Sequence, residues 1–115
     1  MAHRVQAIKA ALLMQSGFAG VGNWMADEIL WRAKVSPGTP AGELSEQNLE
    51  AIWRSLQFVS RGALKHVGSD FSDPPRGWLF HERWGRGGRC PIHGNELERE
   101  TIGGRATAWC RECQV

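Results

Sequence analysis

Apolar residues recur every three or four positions through the first half of the chain, the spacing of helices with one buried face. Val5, Ile8 and Leu12, with Ala11 or Leu13 beside them, predict a first helix from Val5 to Met14, ended by Gln15-Ser16-Gly17. Phe18 follows as an apolar anchor for the turn. Gly20 and Gly22 read as a tight turn, because glycine accepts backbone angles that other residues resist. Asn23 is placed as an N-cap, with a second helix from Trp24 to Ala33 or Lys34. Met25 and Ile29 line one side of it, with Trp24 or Ala33 alongside. Asp27 and Glu28 would then lie near the helix start, where the dipole favours acid.

Val35 to Pro40 contains two prolines and reads as a loop. Ser45 is the next N-cap, although position 48 is Asn rather than the acid of a capping box. A third helix is expected from Glu46 to about Gln57, with Leu49, Ile52, Trp53 and Leu56 as its apolar stripe. A further helical pattern, Phe58 to Val67, either continues it or follows a bend. Gly68 to Gly77, with Pro74-Pro75, reads as a polar loop, and Trp78-Leu79-Phe80 as a short apolar patch that docks the tail on the helices. Arg86-Gly87-Gly88-Arg89 leads into the tail. There, two short strands are expected near Glu96 to Glu100 and Ala106 to Trp109, joined by Ile102-Gly103-Gly104. The helical part should give way to the tail between Gly68 and Gly88.

Composition narrows the class. At 115 residues the chain can bury one modest core, or a core and a satellite. No apolar run approaches the ~20 residues that span a bilayer, and no signal peptide is visible, so an intracellular protein is expected. The net charge of +2 says little by itself. Between Arg61 and Arg89, however, six basic residues face three acidic ones, which gives either a positive face or a merely solvated one. Three cysteines, all in the last quarter, do not suit a secreted disulfide scaffold.

Those cysteines carry the clearest chemistry. Cys90-Pro91-Ile92-His93 and Cys110-Arg111-Glu112-Cys113 are C-x2-H and C-x2-C pairs, sixteen residues apart. Each pair can place two ligands on one ion through a tight turn, and thiolate with imidazole suits tetrahedral zinc. A Cys3His set leaves no open position, so one structural Zn2+ is expected. His81 has no partner at ligand spacing and is not assigned to the metal.

Two strings in the chain resemble signatures of the formamidopyrimidine-DNA glycosylase and endonuclease VIII family. The first is Leu12-Leu13-Met14-Gln15 followed by Gly20-Val21-Gly22-Asn23-Trp24-Met25-Ala26-Asp27-Glu28. The second is Gly85-Arg86, Cys90, Gly94, Gly104-Arg105-Ala106-Thr107 and Trp109-Cys110-Arg111-Glu112-Cys113-Gln114. The resemblance runs from about Ile8 to the end. It implies a mainly α fold, a helix–two-turn–helix bundle with a small β-hairpin zinc finger. A helical domain over 1–77 would precede a linker and finger over 78–115. The family's usual finger has four cysteines; here His93 stands in place of the second.

The resemblance also implies a DNA-binding set: Lys9, the Gly20–Gly22 turn with Asn23, and the finger-tip Arg105, all on backbone phosphates. Lys9 would act as a mobile point charge, Arg105 as a rigid donor fork and Asn23 as a neutral amide. The residues alone leave Lys9 simply solvated, and Arg105 paired with Glu98 or Glu100. Family members carry their amine nucleophile and an adjacent glutamate in a separate N-terminal β-sandwich. Neither is recognisable here, so no catalytic residue is assigned. The chain reads as the C-terminal, duplex-positioning half of a base-excision-repair glycosylase and AP lyase. It is expected to be monomeric, cytoplasmic or nucleoid-associated, and to bind damaged double-stranded DNA. A stand-alone DNA-binding protein without catalysis and a zinc-stabilised protein-interaction module are the alternatives.

Overall fold

A computed structural model describes residues 6–16, 19–62, 77–84 and 87–114. Val5, Phe18, the pattern beyond Gly62, the loop with Pro74-Pro75, and Arg86 lie outside the described residues. Three helices come first: α1 (Ile8–Ser16), α2 (Ala19–Ala33) and α3 (Glu46–Gly62). One 3-10 turn, Ala41–Glu43, lies between α2 and α3; another, Leu79–His81, follows α3, and then an antiparallel hairpin of β1 (Glu98–Ile102) and β2 (Arg105–Trp109). Among the described residues no helix is long and apolar enough to cross a membrane.

The second helix begins earlier than its sequence suggests. α2 starts at Ala19, so Gly20 and Gly22 belong to its first turn and Asn23 is inside it, not its cap. The open N–H groups of that end therefore belong to the residues of the glycine stretch itself. At the other end Lys34 takes a left-handed φ of 63°. Val35 N–H reaches back to Leu30 O at 3.0 Å and Lys34 N–H to Trp31 O at 3.2 Å, closing the helix in the manner of a Schellman motif.

Ser45 caps α3 as expected, and Asn48 completes the box. Asn48 N–H donates to Ser45 Oγ at 3.1 Å, and Ser45 N–H donates to Asn48 Oδ1 at 3.2 Å. The buried stripe of α3 is rotated from the expected one. Ile52 and Val59 are buried, whereas Leu49 and Trp53 face solvent. The hairpin also differs at its edges: β1 starts two residues later than expected, and Ile102 pairs with Arg105 across a bare Gly103-Gly104 turn. Both glycines have positive φ, 62° and 76°, as a two-residue hairpin turn demands.

Two apolar clusters share α2. Ile8, Trp24, Ile29, Leu30, Ala33, Val35, Ile52, Val59 and Trp78 form the helical one. Trp31, on the same helix, joins Leu79, Cys90, Leu97, Ala108, Cys110 and Cys113 in the other. The Trp78-Leu79-Phe80 patch docks as expected, sending Trp78 into the first cluster and Leu79 into the second. Phe80 meets Trp24 edge-on, with ring centroids 5.0 Å apart.

Candidate functional site

Asp27 and Glu28 are buried in the middle of α2, one residue apart, and each fastens a different part of the tail. The Glu28 carboxylate accepts Leu79 N–H at 3.0 Å and Phe80 N–H at 2.8 Å, one on each oxygen, and so caps the 3-10 turn. Arg32 Nε donates to it from one turn on, at 3.2 Å. Burial still raises the Glu28 carboxyl above its ordinary value, although these partners oppose the shift. The expected role of the two acids at a helix start is corrected: they bind across the fold.

Asp27 serves the hairpin. Its Oδ2 accepts Arg83 Nε at 2.9 Å, Arg83 Nη2 at 2.8 Å and Ala108 N–H at 3.2 Å. Its Oδ1 pairs with Lys9 Nζ at 2.7 Å. Lys9 is neither solvated nor mobile, since its side chain is fully buried. Its ammonium also donates to Thr107 Oγ1 at 2.8 Å and to Ala106 O at 3.0 Å. Burial lowers the Lys9 ammonium from its ordinary value against the pull of Asp27, and the nearby charges of Arg83 and Arg105 push it further down.

The Ala106 carbonyl is the meeting point. Lys9 Nζ, Asn23 Nδ2 at 3.2 Å and Arg83 Nη2 at 3.3 Å all donate to it. A carbonyl oxygen has two lone pairs, and here three donors share them. These contacts bring α1, the start of α2 and the segment before the tail onto the residue next to Arg105. Arg105, at the hairpin tip, is half-buried. It does not pair with Glu98 or Glu100: Glu98 meets Arg111 at 3.3 Å and Glu100 accepts Trp109 Nε1 at 2.7 Å. Arg83 was not singled out in the sequence. It was counted there only as one of the six basic residues from Arg61 to Arg89 that would form a positive or solvated face, whereas it is buried against Asp27.

The four metal-ligand candidates converge as their spacing predicts. Their ligand atoms all lie within 4.8 Å of one another. Cys90 Sγ is 3.6 Å from Cys113 Sγ and 4.0 Å from His93 Nδ1, which is 3.0 Å from Cys113 Sγ. Zinc with Zn–S bonds of about 2.3 Å in tetrahedral geometry has ligand–ligand edges of roughly 3.8 Å, so the quartet fits such an ion. Two matching turns build it. Gly94 N–H reaches Cys90 O at 2.8 Å, and Gln114 N–H reaches Cys110 O at 2.9 Å. Ile92 and His93 N–H each point to Cys90 Sγ at 3.4 Å, and Cys113 N–H to Cys110 Sγ at 3.4 Å.

Burial pushes against ionisation of Cys90, yet those N–H donors win and hold its thiol down at about 6. Burial, and the adjoining Cys90 and Cys110 sulfurs, push Cys113 up to about 12. Gln114 locks the second turn to the helices. Its Oε1 accepts Cys110 N–H at 2.7 Å while its Nε2 donates to Val35 O at 3.0 Å.

Residues 1–73 match the formamidopyrimidine-DNA glycosylase H2TH domain. The chain is 38% identical over 107 residues to the formamidopyrimidine-DNA glycosylase of Arabidopsis thaliana, covering 93% of this chain and 27% of that protein. It is 40% identical over 117 residues to the enzyme of the same name from Thermus thermophilus, covering 93% and 44%. Among solved structures, the MutM (Fpg) protein of Thermus thermophilus superposes with a TM-score of 0.75 at 37% identity, over 96% of this chain and 45% of that one. A complex of the Lactococcus lactis Fpg with abasic-site DNA gives 0.72 at 29%, over 96% and 43%. The chain therefore spans less than half the length of these relatives.

Proposed function

The chain belongs to the formamidopyrimidine-DNA glycosylase family, and on that footing we propose that it is the duplex-gripping C-terminal region of a base-excision-repair glycosylase and AP lyase. A helical part over 1–77 and a metal-held hairpin over 78–115 share α2 between them. Asn23, the first-turn amides at Gly20 and Gly22, and Arg105 hold phosphates of damaged double-stranded DNA. Lys9 belongs to the same set from beneath, by fixing Ala106 next to Arg105. Such contacts set the position of a duplex and read little of its sequence. No catalytic residue is assigned among these positions.

The observation that carries the reading is the Asn23–Ala106 bond, which joins residues 83 apart in sequence. Through it the start of α2 and the hairpin tip meet at one place, so an amide and a guanidinium can act on one backbone. The Lactococcus lactis relative was solved with abasic-site DNA, which supports the choice of ligand.

Cys90, His93, Cys110 and Cys113 would hold one Zn2+. The ion supplies no reaction chemistry, since four protein ligands fill a tetrahedral shell; it replaces apolar core in a short hairpin. The chain's own N–H groups at Ile92, His93 and Cys113 orient the sulfurs.

Fluorescence anisotropy of a labelled duplex with an abasic-site analogue, at several salt concentrations, tests the reading. Binding should weaken linearly in log–log form with salt. No binding at low salt, or binding indifferent to salt, would reject it.

A further inference from the structure

Lys9 and Arg83 are both buried, 0% and 6% exposed, and they share one buried acid, Asp27. Glu28, the other buried acid, is committed to Arg32 and to the Leu79–His81 turn. The cluster around Asp27 therefore holds one positive charge more than it neutralises, a costly state unless an anion stands nearby. Arg83 shows where such an anion has access. Its Nε and Nη2 are taken by Asp27 and the Ala106 carbonyl, whereas its Nη1 has no acceptor among the described residues. The same residue forms one wall of a cleft of about 280 Å3, lined also by Arg99, Glu100, Thr101, Ala106 and Thr107. At ~30 Å3 per water, that volume admits a solvated oxyanion.

Arg99 closes the cleft from the hairpin. Its Nη1 donates to Arg83 O at 2.5 Å and its Nη2 to Glu82 O at 3.1 Å, which leaves Nε without an acceptor among the described residues. A Cβ at Gly88 would lie 1.8 Å from Glu82 O and 2.9 Å from Arg99 Nη2, so glycine there makes room for the guanidinium. Thr101 is exposed and adds a hydroxyl. Glu100 is the only acid of the lining, and its carboxylate accepts Trp109 Nε1 at 2.7 Å.

We propose that this cleft binds a phosphate group, with Arg83 Nη1, Arg99 Nε and the Thr101 hydroxyl as its donors. Guanidinium forks are suited to oxyanions, and three donor groups ask for an anion with at least three oxygens, which a carboxylate lacks. The site goes beyond the DNA reading above, because it uses none of the residues assigned there. Arg99, Thr101 and Ala106 share one face of the hairpin, and Arg105 stands on the other. The phosphate belongs either to a DNA backbone or to a free phosphate compound, and the recognition chemistry is the same for both.

The 15N-labelled full chain is titrated with inorganic phosphate at constant pH, with ionic strength held by sodium chloride. The Thr101, Ala106 and Thr107 amides and the Arg83 Nε signal should shift and saturate. Arg99→Gln and Thr101→Val should each bind phosphate ~10-fold more weakly, the loss of one hydrogen bond to a charged group. Should Arg99→Gln fail to fold by circular dichroism, Thr101→Val, at an exposed position, decides alone. The same proteins are then titrated with a labelled duplex. Weaker duplex binding by the variants, with a salt slope reduced by about 1 in Arg99→Gln, assigns the phosphate to the DNA backbone. Unchanged duplex binding assigns it to a free phosphate compound. Phosphate binding by a wild type that binds no duplex rejects the DNA reading and leaves this site standing. Shifts that do not saturate, or variants that bind phosphate as tightly as wild type, overturn the proposal whatever the duplex does.

Discussion

Lys9 and Asp27 form an ion pair at 2.7 Å with both side chains sealed from solvent. Burying two charges repays its desolvation only when the remaining donors and acceptors are also satisfied. Here Thr107, Ala106, Arg83 and Ala108 do so, and all four lie in or next to the tail. The pair therefore fastens the first helix to the last hairpin.

Its removal should be asymmetric. Asp27→Asn leaves the Lys9 and Arg83 cations buried without their counter-charge, and should cost about 3–5 kcal/mol. Lys9→Met should cost less, because Asp27 keeps Arg83. Urea unfolding midpoints of the two variants check this. A Lys9→Met loss as large as that of Asp27→Asn would show that Arg83 alone cannot neutralise Asp27.

On DNA, substitutions at Arg105, Asn23 and Lys9 separate direct contact from support. Arg105→Ala should reduce the slope of log affinity against log salt by about 1, as loss of one phosphate contact does. Asn23→Ala should weaken binding with little change of slope, since the amide is uncharged. Because Asn23 lies within α2, this variant should not lose a helix cap. Lys9→Met should leave the slope near that of wild type, because its ammonium is enclosed. A slope reduced by about 1 in Lys9→Met would place that ammonium on a phosphate.

Glu28 predicts a pH dependence with a definite sign. Its carboxyl is raised above 4.5, chiefly by burial, so between the ordinary and the raised value the folded chain holds more protons than the unfolded one. The contribution of this group to stability is complete below 4.5 and is lost as pH rises through the raised value. The difference in unfolding free energy between wild type and Glu28→Gln should therefore shrink with rising pH across that window. A difference that grows with pH there would contradict the assigned direction.

Zinc loading should release protons. With Cys90 at about 6 and Cys113 at about 12, the stripped protein near neutral pH carries at least one thiol proton that a bound ion must expel. An indicator dye in weak buffer should record one or more protons per zinc, and apparent affinity should rise with pH. Uptake without proton release would mean that the sulfurs are already ionised, or are not the ligands.

What could be read from the sequence was local. Each Cys-x2 pair of the metal quartet, the Ser45 cap and the glycine turn of the hairpin depends on residues a few positions apart, and each was found in place. The long-range polar groups could not be read this way. Asp27 meets Arg83 across 56 positions and Gln114 meets Val35 across 79, and no periodicity encodes such pairs. One sign was present: Asp27 and Glu28 interrupt an otherwise apolar run from Trp24 to Leu30, and acids in such a position need partners. On α3, Leu49 and Trp53 fit the helical period as well as Ile52 and Val59 do. Only the packing of α2 against that helix decides which face is covered.

The wall that α2 lends to both clusters has a consequence for exchange between proteins. A hairpin cut out with its four ligands and grafted onto another scaffold would leave behind Trp31, the Asp27 clasp and the Val35 carbonyl that Gln114 uses. It would carry the letters of the finger without half of its mould. The hairpin and the helix that supports it can therefore be inherited, or transplanted, only together.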